Sequence, residues 1–339
     1  MKRLLVTGGC GFIGTNFIRY IISRNLPYFI VNLDKLTYAG RRKNLIEFEQ
    51  NSNIYKFVCG DILDNRLVRS ILVDEKIDII INFAAETHVD RSISGAFPFI
   101  LTNVAGTQVL LEEALNKGVE LFLQISTDEV YGSILEGRFT ETAHLKPSSP
   151  YAASKASSDL LALAYYHTYS LPVIITRASN NYGYYQYPEK FIPVMIIRAK
   201  YNKSLPIYGD GRNKREWLYV EDHCKALLTI LEKGKVGEIY NIGSEEEWEN
   251  LEVARLILSI MGKSESLIKF IKDRPGHDYR YALNSQKTRN LGWKPQIDFR
   301  SGIKLTVEWY CKNWDWVLEI LNDHNYQKYF QNHYSEKCI

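Results

Sequence analysis

The stretch that most narrows the folds open to this chain is Leu4-Leu5-Val6-Thr7 running directly into Gly8-Gly9-Cys10-Gly11-Phe12-Ile13-Gly14. The apolar run predicts a buried strand, and Phe17, Ile18, Ile21 and Ile22 then recur at helical spacing. A strand, a glycine turn and a helix in that order can cradle a pyrophosphate. The glycines let the backbone turn tightly and come close to the ligand, and the helix N-terminus offers unpaired N–H groups at the positive end of its dipole. Gly8, Gly11, Phe12, Ile13 and Gly14 are the candidates to meet it. The next strand, Phe29 to Leu33, ends at Asp34, about 20 residues past Gly14, where a carboxylate binds adenosine ribose hydroxyls. An acid there repels a 2′-phosphate, which predicts NAD over NADP. The competing reading of Asp34 is a helix or turn cap.

Further along, Tyr55 to Cys59 reads as a third strand, with Gly60-Asp61-Ile62 at its end to receive the adenine edge. Ile77 to Phe83 is almost wholly apolar, as a central parallel strand covered on both faces should be. Ala84 and Ala85 follow it and are small enough for a ribose to lie close; His88 and Arg91 read equally as ligands or as local structural partners. A helix from Asn103 to Leu115 and a strand from Leu121 to Ile125 continue the alternation, which implies an α/β fold with a Rossmann-type, doubly wound parallel sheet.

After a strand at Pro172 to Thr176 the pattern loosens into turn-rich, aromatic stretches, and these imply a smaller substrate-binding lobe over the cofactor domain. No internal repeat or low-complexity linker separates the two, so the lobes are expected to interleave in sequence. The division expected is 1–178 and 213–246 for the NAD-binding domain, 179–212 and 247–325 for the substrate-binding lobe, and 326–339 as a tail. Whether the aromatic stretch from Trp314 to Tyr334 covers the junction is left open.

Two segments carry the chemistry: Ile125-Ser126-Thr127-Asp128-Glu129-Val130-Tyr131-Gly132 and Ser149-Pro150-Tyr151-Ala152-Ala153-Ser154-Lys155. Ser149 can cap a helix that has Pro150 at its first position, where a missing N–H costs nothing. Tyr151 and Lys155 then share one face, so an ammonium can sit beside a phenol and favour the phenolate. Bringing a tyrosine pKa from about 10 towards 7 takes roughly 4 kcal/mol, within reach of one cation plus a cationic nicotinamide ring. Such a tyrosine removes a proton from a sugar hydroxyl that Thr127 holds. Tyr-x-x-x-Lys also arises by chance on many helices. Asp128 and Glu129 can reach one substrate only if the chain turns immediately after the strand. Two carboxyls in one pocket do not both ionise easily, so one stays an acid and the other a base. The pair taken alone also reads as a solvated acidic turn.

Composition closes off other classes. With 339 residues and a formal charge of +3 the chain gives no reason to expect nucleic acid as a partner. Its five cysteines are scattered, with no Cys-x-x-Cys pair, which points away from a metal site and towards a reducing compartment, the cytoplasm. No apolar run approaches the roughly 20 residues needed to span a bilayer, and the opening apolar run is too short for a signal-peptide core.

Seven ordered motifs resemble the nucleotide-sugar 4,6-dehydratases of the extended short-chain dehydrogenase/reductase family. They are Thr-Gly-Gly-Cys-Gly-Phe-Ile-Gly, Ala-Ala-Glu-Thr-His-Val-Asp-Arg-Ser, Ser-Thr-Asp-Glu-Val-Tyr-Gly, Tyr-Ala-Ala-Ser-Lys, Tyr-Pro-Glu-Lys-Phe-Ile-Pro, Trp-Leu-Tyr-Val-Glu-Asp-His and Asp-Arg-Pro-Gly-His-Asp-Tyr-Arg. The resemblance implies oxidation of a dTDP- or UDP-glucose at carbon 4, elimination of water across carbons 5 and 6, and hydride return to carbon 6, on the way to rhamnose or another deoxysugar. It implies Tyr151, Thr127 and Lys155 for the oxidation, with Tyr151 and Lys155 also meeting the cofactor, and Glu129 as base with Asp128 as acid for the elimination. It implies His88, Asn180, Lys190, Arg215, Asn250, Arg274 and His277 as candidates for the sugar nucleotide. Tyr184 and Asn284 depart from a usual proline and a usual aspartate, away from the reacting atoms. Family members commonly form homodimers through two helices, here Asn103 to Leu115 and Tyr151 to Tyr166. A 4-epimerase or decarboxylase of the same fold would share the oxidation but not the acidic pair, and a non-enzymatic NAD-binding protein would usually lack Tyr151 or Lys155.

Overall fold

Segments that are apolar on both faces must be covered on both faces, and in this chain they line up into one sheet. A computed structural model of the protein describes residues 1–273 and 276–328. In chain order its strands are β1 (Lys2–Thr7), β2 (Tyr28–Asp34), β3 (Tyr55–Cys59), β4 (Ile79–Asn82), β5 (Leu121–Thr127), β6 (Val173–Ala178), β7 (Asn180–Tyr182), β8 (Leu205–Tyr208), β9 (Lys214–Tyr219), β10 (Ile239–Ile242), β11 (Glu247–Glu249) and β12 (Ile268–Ile271). Seven pair in the order β10-β6-β5-β4-β1-β2-β3, every neighbour parallel. The period of two in a strand sends Leu4 and Val6 to one face, against Phe17, Ile18 and Ile21 of the helix Phe12–Ser23 and Leu227 and Ile230 of the helix Val220–Lys233. Leu5 points the other way, with Val31, Ile80 and Phe122, onto Leu110, Leu111 and Ala114 of the helix Thr107–Lys117. The strand order reverses between β1 and β4. In an open parallel sheet ligands settle outside the carboxyl ends of the strands at such a switch point.

The second lobe holds two small sheets, β11-β9-β7 and β12-β8, around Ile192, Met195, Trp217, Val253, Ile257, Phe299 and Ile303. The interleaving is finer than the boundaries 213–246 and 247–325 allow. β9 pairs with β7 and β11 and buries Trp217 and Tyr219 in the second core, so the chain re-enters the first domain at Val220. Trp293 belongs to the first core, where its Nε1 donates to the Asp222 carbonyl at 3.0 Å.

The aromatic C-terminal stretch does bridge the lobes. In the helix Trp314–Leu321, Trp316 Nε1 donates to Asn44 Oδ1 at 2.8 Å, and Glu319 pairs with Arg41 at 3.0 Å and with Lys43. Tyr326 then donates its hydroxyl proton to the Pro188 carbonyl at 2.9 Å. The rest of the expected tail, 329–339, lies outside the described residues. No helix among those described is long and apolar enough to cross a membrane.

Candidate active site

A cleft opens at the switch point, and its floor is the glycine turn. Gly8 has φ +68°, and a Cβ there would meet Ala84 Cα at 2.7 Å; one on Gly14 would meet the Gly8 carbonyl oxygen at 2.5 Å. Both positions therefore require glycine. Gly11 is the N-cap of the helix Phe12–Ser23 and supplies no side-chain cap, which leaves the first N–H groups facing the cleft. Gly11, Phe12, Ile13, Asp61, Ile62, Ala84 and Ala85 line it. Asp34 lines it as well, and the cap reading also holds for this residue. Its two carboxylate oxygens accept from Cys10 N and Leu36 N, each at 2.8 Å. Burial raises its pKa and those two N–H bonds lower it. Asp61 accepts from Leu63 N at 3.0 Å and pairs with Lys35 at 2.5 Å. A glycine cradle, an exposed helix start and a fixed carboxylate on one side make a surface that fits a dinucleotide.

β5 ends at Thr127 and the chain passes at once into a single 3-10 turn, Asp128–Tyr131. That turn is what lets two sequence neighbours, Asp128 and Glu129, line the same cleft. Thr127 Oγ1 accepts from Glu129 N at 3.3 Å and donates to Asp128 Oδ1 at 3.2 Å. Asp128 is 2% exposed, and its Oδ2 has no hydrogen-bond partner among the described residues. Burial, then Glu129 and Glu216, hold its carboxyl well above the usual range, against the opposing pull of Thr127 and Arg215. Burial and its carboxylate neighbours thus favour the protonated form of this residue over the ionised one.

Ser149 Oγ caps the helix Pro150–Tyr169 by accepting from Ala152 N at 3.1 Å, and this helix carries Tyr151 and Lys155 into the cleft. The expected effect of Lys155 on the phenol is not realised by the protein alone. Lys155 Nζ donates to the Ile125 carbonyl at 2.6 Å, and burial lowers its pKa to about 8 against the pull of Asp159. Burial, Glu129 and Asp128 raise the Tyr151 pKa, and only the hydrogen bond with Thr127 lowers it. Within the protein alone the phenol therefore holds its proton more tightly than a free tyrosine does.

Of the residues expected to hold the sugar nucleotide, Asn180 and Lys190 line the cleft, with Lys190 Nζ donating to the Thr87 carbonyl at 2.8 Å. Among the described residues, His88, Arg215, Asn250 and His277 are not in its lining. His88 is buried at the start of the short helix Val89–Ser94 with Nε2 3.4 Å from the Glu189 carbonyl, and burial lowers its pKa to about 4. Arg215 is buried too, donating to the carbonyls of Lys214, Tyr279 and Asp278 at 2.8, 3.3 and 2.9 Å. Its guanidinium holds the loop before Tyr281, and its charge is felt at Asp128 in the cleft. Asn250 opens the helix Asn250–Ile260, and His277 Nδ1 lies 2.6 Å from Asp273 Oδ1. Arg274 lies outside the described residues. Among the described residues no group of three or more His, Cys, Asp or Glu could hold a metal ion.

Comparison with known proteins matches the GDP-mannose 4,6 dehydratase family to residues 5–306. The chain belongs to the nucleotide-sugar 4,6-dehydratases. It is 53% identical over 307 residues to the low-salt glycan biosynthesis protein Agl12 of Haloferax volcanii, covering 91% of this chain and 98% of that protein. It is 48% identical over 342 residues to the dTDP-glucose 4,6-dehydratase of Xanthomonas campestris pv. campestris, covering 95% and 97%. Among solved structures, DesIV of Streptomyces venezuelae, a dTDP-glucose 4,6-dehydratase with NAD and TYD bound, superposes with a TM-score of 0.90 at 48% identity over 93% of this chain and 98% of that one.

Two features of this 4,6-dehydratase escape sequence reasoning. Glu189 lines the cleft at 4% exposure and accepts from the Tyr38 hydroxyl at 2.8 Å and Arg91 Nε at 3.1 Å. The signal was present in the Tyr-Pro-Glu-Lys run, where only the lysine was singled out. Asn103 sits in a π-helical stretch, Ile100–Gly106, and donates to the Glu86 carbonyl at 3.0 Å and to Ser154 Oγ at 2.8 Å. It thereby ties the loop after β4 to the dehydratase's Tyr151–Lys155 helix. A π-bulge inserts a residue that no 3.6-residue spacing reveals.

Proposed function

We propose that the protein converts dTDP-glucose to its 4-keto-6-deoxy sugar nucleotide with NAD held in the cleft between Gly8–Gly14 and Asp34. The observation that carries this reading is the buried Asp128 beside Glu129 on one turn, lining one cleft with Tyr151 and Lys155. When bound, NAD supplies a hydride acceptor that becomes a hydride donor within the same turnover.

The residues divide the work. Thr127 and Tyr151 hold the sugar 4-hydroxyl, and Tyr151 takes its proton once the cofactor's positive charge offsets the carboxyls around the phenol. Lys155 Nζ, anchored on the Ile125 carbonyl, lends its charge from below. The 4-ketone acidifies the carbon 5 proton, which Glu129 removes while Asp128 gives its proton to the departing carbon 6 hydroxyl; one water leaves. General acid and general base each contribute typically ~10²–10⁴-fold, and an elimination needs both at once. Asn180 and Lys190 are the cleft residues placed to orient the sugar nucleotide. Arg215, Asn250, Arg274 and His277 are the candidates this reading keeps for the nucleotide end.

The reading extends to a homodimer, supported by apolar residues exposed on adjoining helices, and to a reducing, cytoplasmic setting, supported by four described cysteines that are all free. The test is to incubate the purified protein, without added cofactor, with dTDP-glucose and separately with UDP-glucose, and to follow the sugar nucleotide by mass spectrometry. Loss of one water is expected, faster with dTDP-glucose. A galactose isomer of unchanged mass would make it an epimerase instead.

A further inference from the structure

The two halves of the proposed chemistry stand on different elements. Tyr151 and Lys155 ride the helix Pro150–Tyr169, whereas Asp128 and Glu129 ride the one-turn helix after β5. They must act in sequence on neighbouring carbons of one sugar, so their separation has to be fixed to a fraction of an ångström.

One side chain joins them. Arg177 on β6 is 2% exposed; its Nε donates to Asp159 Oδ2 at 2.8 Å, and its Nη1 donates to the Tyr131 hydroxyl at 2.9 Å. Asp159 is fully buried on the Tyr151–Lys155 helix, one turn past Lys155. Tyr131 is 1% exposed and closes the turn that carries the acidic pair. Its hydroxyl has a defined donor and acceptor, since it also donates to Asn241 Oδ1 on β10 at 2.9 Å. The ring is clamped as well, stacked on Phe139 with centroids 5.0 Å apart and with the guanidinium 4.8 Å from its centre. Asn241 Nδ2 in turn donates to the Phe139 carbonyl at 3.0 Å. A buried ion pair of this kind gives little net stability, because removing both charges from water costs about as much as their attraction returns. What it does supply is one geometry.

We infer that Asp159, Arg177 and Tyr131 are positioning residues that lock the acid–base turn to the Tyr151–Lys155 helix and so set elimination in step with oxidation. The inference rests on the dehydratase reading above. None of the three lines the cleft except through the catalytic groups it holds.

Tyr131→Phe is the informative variant, because it removes the hydroxyl link and leaves the Asp159–Arg177 pair intact, where an Arg177 substitution would strand a buried charge. Wild type and variant holoenzymes, in excess over dTDP-glucose, are mixed with it in single-turnover experiments, following the absorbance of reduced nicotinamide and, by rapid quench, the keto sugars. Oxidation is expected to change by less than about twofold while elimination slows by roughly 10–100-fold, the scale of a small misplacement of a catalytic group. Reduced cofactor and a 4-keto-glucose nucleotide should then accumulate in the variant. A variant with a lower melting temperature but both steps unchanged, or both slowed alike, would overturn the inference and leave the dehydratase reading standing. A wild type that forms no keto sugar from either nucleotide would overturn both. Arg177→Lys, which keeps the charge but not the two-point link, should show the same partition; equal slowing of both steps there would also count against it.

Discussion

For a single residue, burial decides which carboxyl is acid and which is base. Asp128 and Glu129 are chemically near-equal neighbours, but Asp128 is almost wholly enclosed beside Glu129 and Glu216, and its raised pKa follows from that. The sign for stability is definite. A carboxyl with a folded pKa above its unfolded value of about 4 favours the folded state fully only below that value, and the advantage is lost as pH rises towards the folded pKa. Asparagine cannot ionise. Asp128→Asn should therefore be more stable than the wild type at pH 7–8, with the difference shrinking towards about pH 4, while elimination falls roughly 10²–10⁴-fold and oxidation to the bound ketone persists. Urea midpoints at both ends of that range, with rapid-quench assays, test it; a variant less stable than wild type at neutral pH would refute the assignment. That Tyr151, Lys155, Asp128 and Glu129 share one cleft was legible from their helical and strand-end spacing taken together with the ordered motifs around them. The places of Arg215 and His88 were not, because each is settled by backbone carbonyls from remote segments, those of Asp278 and Tyr279 for one and Glu189 for the other.

Among the elements, the seven-stranded sheet was readable because most of its strands are apolar runs that alternate with helices. The C-terminal helix was not, since its meaning lies in what it touches. Trp316 packs edge-on against Trp309 and Tyr185, with centroids 5.3 and 6.1 Å apart, and bonds to Asn44. Asn44 sits just beyond the Lys35–Gly40 loop, which borders the adenosine side of the cleft, while Tyr326 holds the Pro188 carbonyl beside Tyr187 and Glu189 on the other side. The helix and the segment just after it thus tie together two walls of the proposed NAD site. Trp316→Ala is expected to cost about 2–4 kcal/mol of stability, as other large-to-small aromatic changes do, and also to weaken NAD binding. A urea midpoint and a calorimetric NAD titration separate the two effects. Lower stability with unchanged NAD affinity would mean that the helix braces the fold without bracing the cleft.

The whole molecule leaves one surface unexplained by its own folding. Phe97, Ile100 and Leu101 are 69%, 45% and 38% exposed in the helical segment that leads into Thr107–Lys117, and Leu160 is 57% exposed on the Tyr151–Lys155 helix packed beside it. Water-facing apolar residues gathered on adjoining helices are what a partner would cover, and a second copy is the partner this reading proposes. A specific dimer of this kind buries about 800 Å² per subunit. The location has a catalytic consequence. The covered face would lie behind the helix that carries Tyr151 and Lys155, so dimerisation would stiffen the element on which proton removal depends. Leu101→Glu combined with Leu160→Glu places charges on both helices without touching the cleft. In analytical ultracentrifugation at micromolar concentration the wild type should sediment as a dimer and the double variant as a monomer. The monomer should keep its fold by circular dichroism yet turn over more slowly, the loss falling on the oxidation step. A wild type that sediments as a monomer would remove the dimer from this account, and a fully active monomer would show that the helix is held rigid enough by the Asp159–Arg177 link and the Ser149 cap alone.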